Sequence, residues 1–86
     1  MNVSKGGVVE RIARVLAGQR LSANAEGSND HAAAAVDAAW RFHVEDAVAV
    51  LRTLREPDAR MAEAGDPAIW EKMIRAALPE GVVPGA

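Results

Sequence analysis

The chain has 86 residues, half of them hydrophobic, with 12 acids against 10 Lys and Arg for a net charge of −2. That length holds one small domain. The near balance of charge supplies neither the basic concentration of a dedicated nucleic-acid binder nor the dense acidic surface of a DNA mimic, and the absence of cysteine excludes disulfides, thiolate nucleophiles and Cys-based metal sites.

The hydrophobic fraction overstates the core. Much of it is alanine, and the aromatic and sulfur-containing side chains are one Phe, two Trp and three Met. A chain this small has little interior to stabilise it, so burial from self-association, as in a homodimer, or from a protein partner is expected. The opening run MNVSKGGVVERIARVLAG is broken by Glu10, Arg11 and Arg14 and is not a signal-peptide core. No stretch approaches the ~18 uncharged apolar residues of a membrane span, which makes the cytoplasm the expected compartment, with no membrane partner.

Met1 to Gly7 is expected to be a flexible end. Gly6 and Gly7 disfavour helix, although Ser4 is a competent cap. From Val8 a helical pattern emerges, with Val8, Ile12, Val15 and Leu16 on one face and Glu10, Arg11 and Arg14 away from most of it. Glu10 and Arg14 stand four apart with the acid first, a favourable helical pair. The helix is expected to end at Gly18 or Leu21, and the polar stretch Ser22 to Asp30 reads as a loop. Asn29 or Asp30 is the preferred cap of the next helix, with Ser28 a third candidate.

The longest pattern runs from His31 to Arg55. No Gly or Pro interrupts it, and Val36, Trp40, His43 or Val44, Ala47, Leu51 and Leu54 recur in steps of three and four, the period of a helix with one buried face. An uninterrupted helix of that span is a rod roughly 37 Å long, the central element of the chain. Glu56 before Pro57 is a break, and Pro57 is expected in the first turn of a short helix, PDARMAEA, closed by Gly65. Asp66 then caps the last helix with Pro67 at its first position. Ile69, Met73 and Ala76 form one apolar line on that helix and Trp70, Ile74 and Ala77 the next, a broad stripe opposite the Glu71–Arg75 pair. Pro79 stops the helix, and residues 79–86 are expected to be a second flexible end. The fold expected is all-α: one small antiparallel helical bundle over residues 1–86, without strands, repeats or a coiled-coil heptad.

Chemistry-bearing patterns are sparse. His31 and His43, twelve residues apart on a helix, lie about 18 Å apart and cannot share an ion. Glu45 with Asp46, and Glu63 with Asp66, read as surface carboxylates with no burial to tune them. Ser4, Ser22 and Ser28 have no histidine at a useful spacing, and the glycines match neither a Walker loop nor a dinucleotide fingerprint. No catalytic, cofactor-binding or metal-binding residue is assigned, and no enzyme activity or cofactor is expected. The order DARMAEAG then DPAIWEKMIRAAL invites comparison with a helix-turn-helix, for which Arg52, Arg55, Arg60, Lys72 and Arg75 would have to form one phosphate-facing surface. The bland reading is that these residues cover the joint between two helices. Trp40 and Trp70 read as core. Phe42, two residues from Trp40, must point elsewhere and is a candidate contact residue.

Three segments resemble a group of small helical proteins from phages and prophages of proteobacteria: the opening Ile12-Ala13-Arg14, a junction of Arg55, Glu56, Pro57, Met61, Ala64 and Gly65, and a close of Trp70, Met73, Ile74, Ala76, Ala77 and Leu78. The likeness covers Glu10 to Leu78 and is strongest from Leu51. It departs over Gly27 to Ala39, where the group tends to carry an aromatic-containing loop. The resemblance brings no catalytic residues. It implies a phage accessory origin and action by binding a host protein so as to block or redirect it. The leading expectation is therefore a non-enzymatic helical protein-binding or accessory protein. The alternatives are a nucleic-acid-binding accessory protein and a self-associating assembly protein with Trp40 or Phe42 at its interface.

Overall fold

The structure, a computed structural model, describes residues 3–25 and 32–79. Every regular element among them is helical: α1 (Val8–Ala25), α2 (Ala32–Ala39), a 3₁₀ segment (Trp40–His43), α3 (Val44–Leu54), α4 (Ala59–Ala64) and α5 (Pro67–Ala77). The fold is all-α, as the apolar spacing predicts. The contacts sort into two compact units, Met1–Ala47 and Val48–Ala86, and the boundary falls inside α3. None of these helices is long and apolar enough to cross a membrane.

In the first unit α1 begins after the glycines. The Gly7 carbonyl accepts the Arg11 N–H at 3.1 Å, while the Ser4 hydroxyl accepts the Gly6 N–H at 3.3 Å in a local turn instead of capping the helix. The helix then runs past Gly18 and Leu21 to Ala25, taking Ser22 to Ala25 from the expected loop. One mid-helix glycine costs only about 1 kcal/mol, and Gln19, Arg20, Leu21 and the two alanines beyond are compatible with helix. Gly18 also sits where α1 meets α2: a methyl group there would lie 3.8 Å from Val36 Cγ2.

The packed face of α1 is not centred where the larger side chains suggested. Ala13 and Ala17 are fully buried, whereas Val15 is 61% exposed. Val15 is two residues from both alanines, about 200° around the helix. Small residues win the centre because they let α1 approach α2 and the 3₁₀ segment, the elements it packs against; Ile12 and Leu16, half-buried, flank them.

The run expected as one rod is helical from Ala32 to Leu54, but its α geometry gives way between Trp40 and His43. There the Val44 N–H reaches the Arg41 carbonyl, three residues back. Three ring side chains in four residues, Trp40, Phe42 and His43, lose rotamer freedom against the preceding turn, and the tighter helix is a short local solution. The candidate caps Ser28, Asn29 and Asp30, with His31, lie outside the described residues.

In the second unit α3 ends at Leu54 and the chain turns ahead of Pro57. The short helix does not take Pro57 into its first turn. Asp58 caps it, its carboxylate accepting the Met61 N–H at 2.9 Å, so α4 starts at Ala59. A carboxylate cap satisfies an orphan N–H that proline at that position leaves open. Gly65 closes α4 in an extended conformation (φ −159°), its N–H bonded to the Met61 carbonyl at 3.1 Å. Glycine's left-handed freedom is not used, and the second turn rests on Asp66 instead. Asp66 caps α5 as expected, accepting N–H groups of Ala68 at 2.9 Å and Ile69 at 3.4 Å with Pro67 behind it. Glu71 and Arg75 pair at 3.3 Å. The buried apolar residues described in this unit are Val48, Leu51, Ile74 and Leu78.

Candidate functional site

The first unit gathers its charge around Trp40. Arg14 donates from Nε to Glu10 Oε2 at 2.8 Å and from Nη1 to Asp37 Oδ1 at 2.6 Å, linking α1 to α2. These two hydrogen bonds, the one to Asp37 first, hold the guanidinium above the ordinary arginine pKa. Arg14 also lies 5.4 Å from the Trp40 ring centroid and Arg41 lies 4.6 Å from it, within reach of a cation–π interaction. Trp40 is half-buried and its ring is engaged by two cations; its role here is to tie the α1–α2 joint. Phe42 is the contrast. It stands 85% exposed on the 3₁₀ segment, as its offset from Trp40 predicts.

The second unit carries two concave surfaces. One is a polar cleft of about 600 Å³ whose walls include Arg52, Thr53, Arg55, Glu56, Pro67 and Glu71. It places two residues of the basic set together, but beside two carboxylates, and Arg60, Lys72 and Arg75 do not line it. Arg75 is committed to Glu71. The cleft is thus of mixed charge, whereas a phosphate-tracking surface concentrates one sign. The helix-turn-helix comparison also meets a six-residue α4 with no buried residue, short of a full supporting helix.

The other surface is an apolar groove of about 330 Å³ over the junction of α4 and α5, formed chiefly by Pro57, Met61, Gly65, Ile69, Trp70 and Met73. Its origin lies in how α5 divides its apolar stripe. Ile74 and Leu78 turn inward, and Trp70 is half-buried with its Nε1–H donated to the Leu54 carbonyl at 2.6 Å. That bond satisfies one of the orphan carbonyls at the end of α3. The neighbouring line stays outside: Ile69 is 56% and Met73 64% exposed. The Asp58 and Asp66 caps fix where α4 and α5 begin, and the groove lies between Met61 and Ile69. The two apolar lines that the spacing shows on this helix of eleven residues thus part company, the Trp70–Ile74 line packing and the Ile69–Met73 line staying exposed.

Among the described residues, no three His, Cys, Asp or Glu side chains are grouped so as to hold a metal ion, and no buried side-chain polar atom lacks a hydrogen-bond partner. What the groove offers chemically is apolar contact area with a thioether-rich lining, a surface that adapts to side chains of different shape. No protein-family model, curated protein or solved structure matches this chain.

Proposed function

We propose that the protein is a non-enzymatic helical accessory protein that works by binding another protein, and that it derives from a phage or prophage and modulates a host protein. The observation that supports binding is the groove over Met61, Ile69, Trp70 and Met73, where large apolar side chains stay exposed on a well-capped helix. Exposed apolar patches rimmed by polar residues mark contact sites for proteins or membranes and ligand-binding grooves. The phage origin rests on the likeness of the junction Arg55 to Gly65 and of the close from Trp70 to Leu78 to the phage group. A nucleic-acid role has less support, because Arg52 and Arg55 share their cleft with Glu56 and Glu71.

The test is a tagged pull-down from a proteobacterial lysate, with and without nuclease, using wild-type bait and a Met73→Glu bait. Met73 is mostly exposed, so the substitution is expected to change stability by no more than ~0.5 kcal/mol. A stoichiometric protein that survives nuclease with wild-type bait and is lost with Met73→Glu supports the reading. Capture of nucleic acid alone, equal with both baits, refutes it.

A further inference from the structure

We infer that Met73 is an oxidation site through which a hydroperoxide turns the groove from apolar to polar while the fold is kept. The inference takes its consequence, though not its chemistry, from the reading of the groove as a protein-binding site. Two thioethers line the groove, Met61 and Met73, and their surroundings differ. Met73 is 64% exposed on the outward line of α5, four residues beyond Ile69. Met61 is half-buried on α4. A peroxide reaches the Met73 sulfur directly from water, whereas at Met61 neighbouring atoms stand in its way.

The step is an oxygen transfer. A lone pair of the Met73 sulfur attacks the terminal oxygen of hydrogen peroxide or an alkyl hydroperoxide. The S–O bond forms as the O–O bond breaks, and the proton on the transferred oxygen passes to the departing one. Sulfur is oxidised by two electrons, and the peroxide is reduced to water or an alcohol. The product, a sulfoxide, is polar and chiral where the thioether was apolar.

The groove has no partner to offer the new oxygen. Trp70 carries the one side-chain N–H or O–H donor of the lining, and it is given to the Leu54 carbonyl at 2.6 Å. The Asp66 carboxylate is itself an acceptor, engaged by the first turn of α5. The sulfoxide oxygen is left to water. An apolar side chain laid over it would strip that water and leave a buried acceptor unpaired, so oxidation opposes binding. The fold is spared, because the buried residues described in this unit are Val48, Leu51, Ile74 and Leu78 and not Met73. Methionine sulfoxide reductases reverse the change, which makes it a switch.

The experiment treats the full chain with hydrogen peroxide and follows each methionine by mass spectrometry after cleavage at lysine, since the cut after Lys72 parts Met61 from Met73. Native hydrophobic-interaction chromatography reads the exposed apolar surface, and a urea melt followed by far-ultraviolet circular dichroism reads the fold. Met73 is expected to oxidise several-fold faster than Met61, and the chain oxidised at Met73 to elute earlier with an unchanged urea midpoint. Met73→Leu, which keeps an apolar side chain without sulfur, should hold its retention under the same peroxide dose, whereas Met61→Leu should lose it as wild type does. Oxidation no faster at Met73 than at Met61, retention unchanged by oxidation at Met73, or a urea midpoint lowered by it overturns the inference. The pull-down, repeated with reduced and peroxide-treated bait, tests the consequence. A protein held by reduced wild type should be captured several-fold less by the oxidised bait and undiminished by oxidised Met73→Leu; equal capture by both wild-type baits overturns the switch. A reduced bait that captures no protein refutes the binding reading instead, and the peroxide mapping and chromatography still decide the oxidation site.

Discussion

Removing the Asp66 cap tests whether α5 is held as its N-terminal geometry implies. Asp66 accepts two backbone N–H groups, one at 2.9 Å and one at 3.4 Å. An N-cap replaced by alanine costs typically ~1 kcal/mol, and the longer second bond adds little. Loss of a carboxylate from the positive end of a helix adds roughly 0.3–1 kcal/mol. Asp66→Ala is therefore expected to cost about 1.3–2 kcal/mol, a fall of roughly 5–15 °C in melting temperature for a chain of this size. Asp58→Ala removes a comparable bond, from Met61 N–H at 2.9 Å, but α4 contains no buried residue. Its loss lets a short helix fray locally without undoing the packed part of the unit, so less than ~0.5 kcal/mol is expected in global unfolding. α5 with its C-cap supplies Ile74 and Leu78, half of the buried residues described in that unit. Urea melts followed by circular dichroism at 222 nm give both values. Asp66→Asn keeps a competent cap without the charge and should recover most of the loss. An Asp66→Ala protein within ~0.3 kcal/mol of wild type, or an Asp58→Ala cost equal to it, would refute the argument that cap strength is felt through the buried residues a helix carries.

Gly18→Ala should stabilise the protein by about 0.5–1 kcal/mol, because glycine mid-helix is penalised and the added methyl meets Val36 Cγ2 at an ordinary 3.8 Å; a lower urea midpoint would show that α1 and α2 are closer than that contact. Asp37→Ala removes the link from α2 to Arg14, and since the pair is solvent-exposed the lowered melting temperature should be seen at low salt and shrink toward nothing at about 1 M NaCl. Between pH 5 and 9 Arg14 should contribute no pH dependence of its own. Its raised pKa means that its stabilising share is complete below the ordinary arginine value and lost only as pH climbs through the higher folded one; a wild-type-minus-Arg14→Met difference in melting temperature that varies within that window would contradict this. Pro57→Ala should alter the near-ultraviolet circular dichroism more than the melting temperature, since Pro57 borders both concave surfaces of its unit; unchanged spectra and melting together would count against an architectural role.

The parts legible in the sequence are those decided by local chemistry. Asp66-Pro67 marks a helix start through one carboxylate and one fixed φ, and the Glu10–Arg14 and Glu71–Arg75 pairs follow from helical spacing alone. The break ahead of Pro57 was equally local. Features set by neighbours were not legible. The shift to 3₁₀ geometry at Trp40 is local but equally hidden, because apolar spacing does not weigh the crowding of Trp40, Phe42 and His43 in a stretch without Gly or Pro. Val15 loses its place to Ala13 and Ala17 because close approach, not side-chain size, decides the contact. The groove was hidden for a related reason: periodicity shows that Ile69 and Ile74 are both apolar, but only the packed unit decides which line turns inward.

That last choice bears on function. In the first unit the fully buried positions described are alanines, while the large apolar side chains Val15 and Phe42 face solvent. In the second, Ile74 is buried and Ile69 and Met73 are displayed. Burying alanine costs no side-chain entropy but contributes little apolar area. A chain that places its scarce large side chains outside its core gives up stability of its own, unless contact with another surface returns it. Anything that binds the folded form adds stability in proportion to the logarithm of its free concentration over its dissociation constant. If that surface is a second copy of the chain, as the self-associating alternative requires, the melting temperature of wild type should rise with protein concentration and that of Phe42→Ala should not, although Phe42, 85% exposed, contributes almost nothing to the packing of its own chain. Equal slopes for the two proteins would separate the exposed aromatic from association altogether.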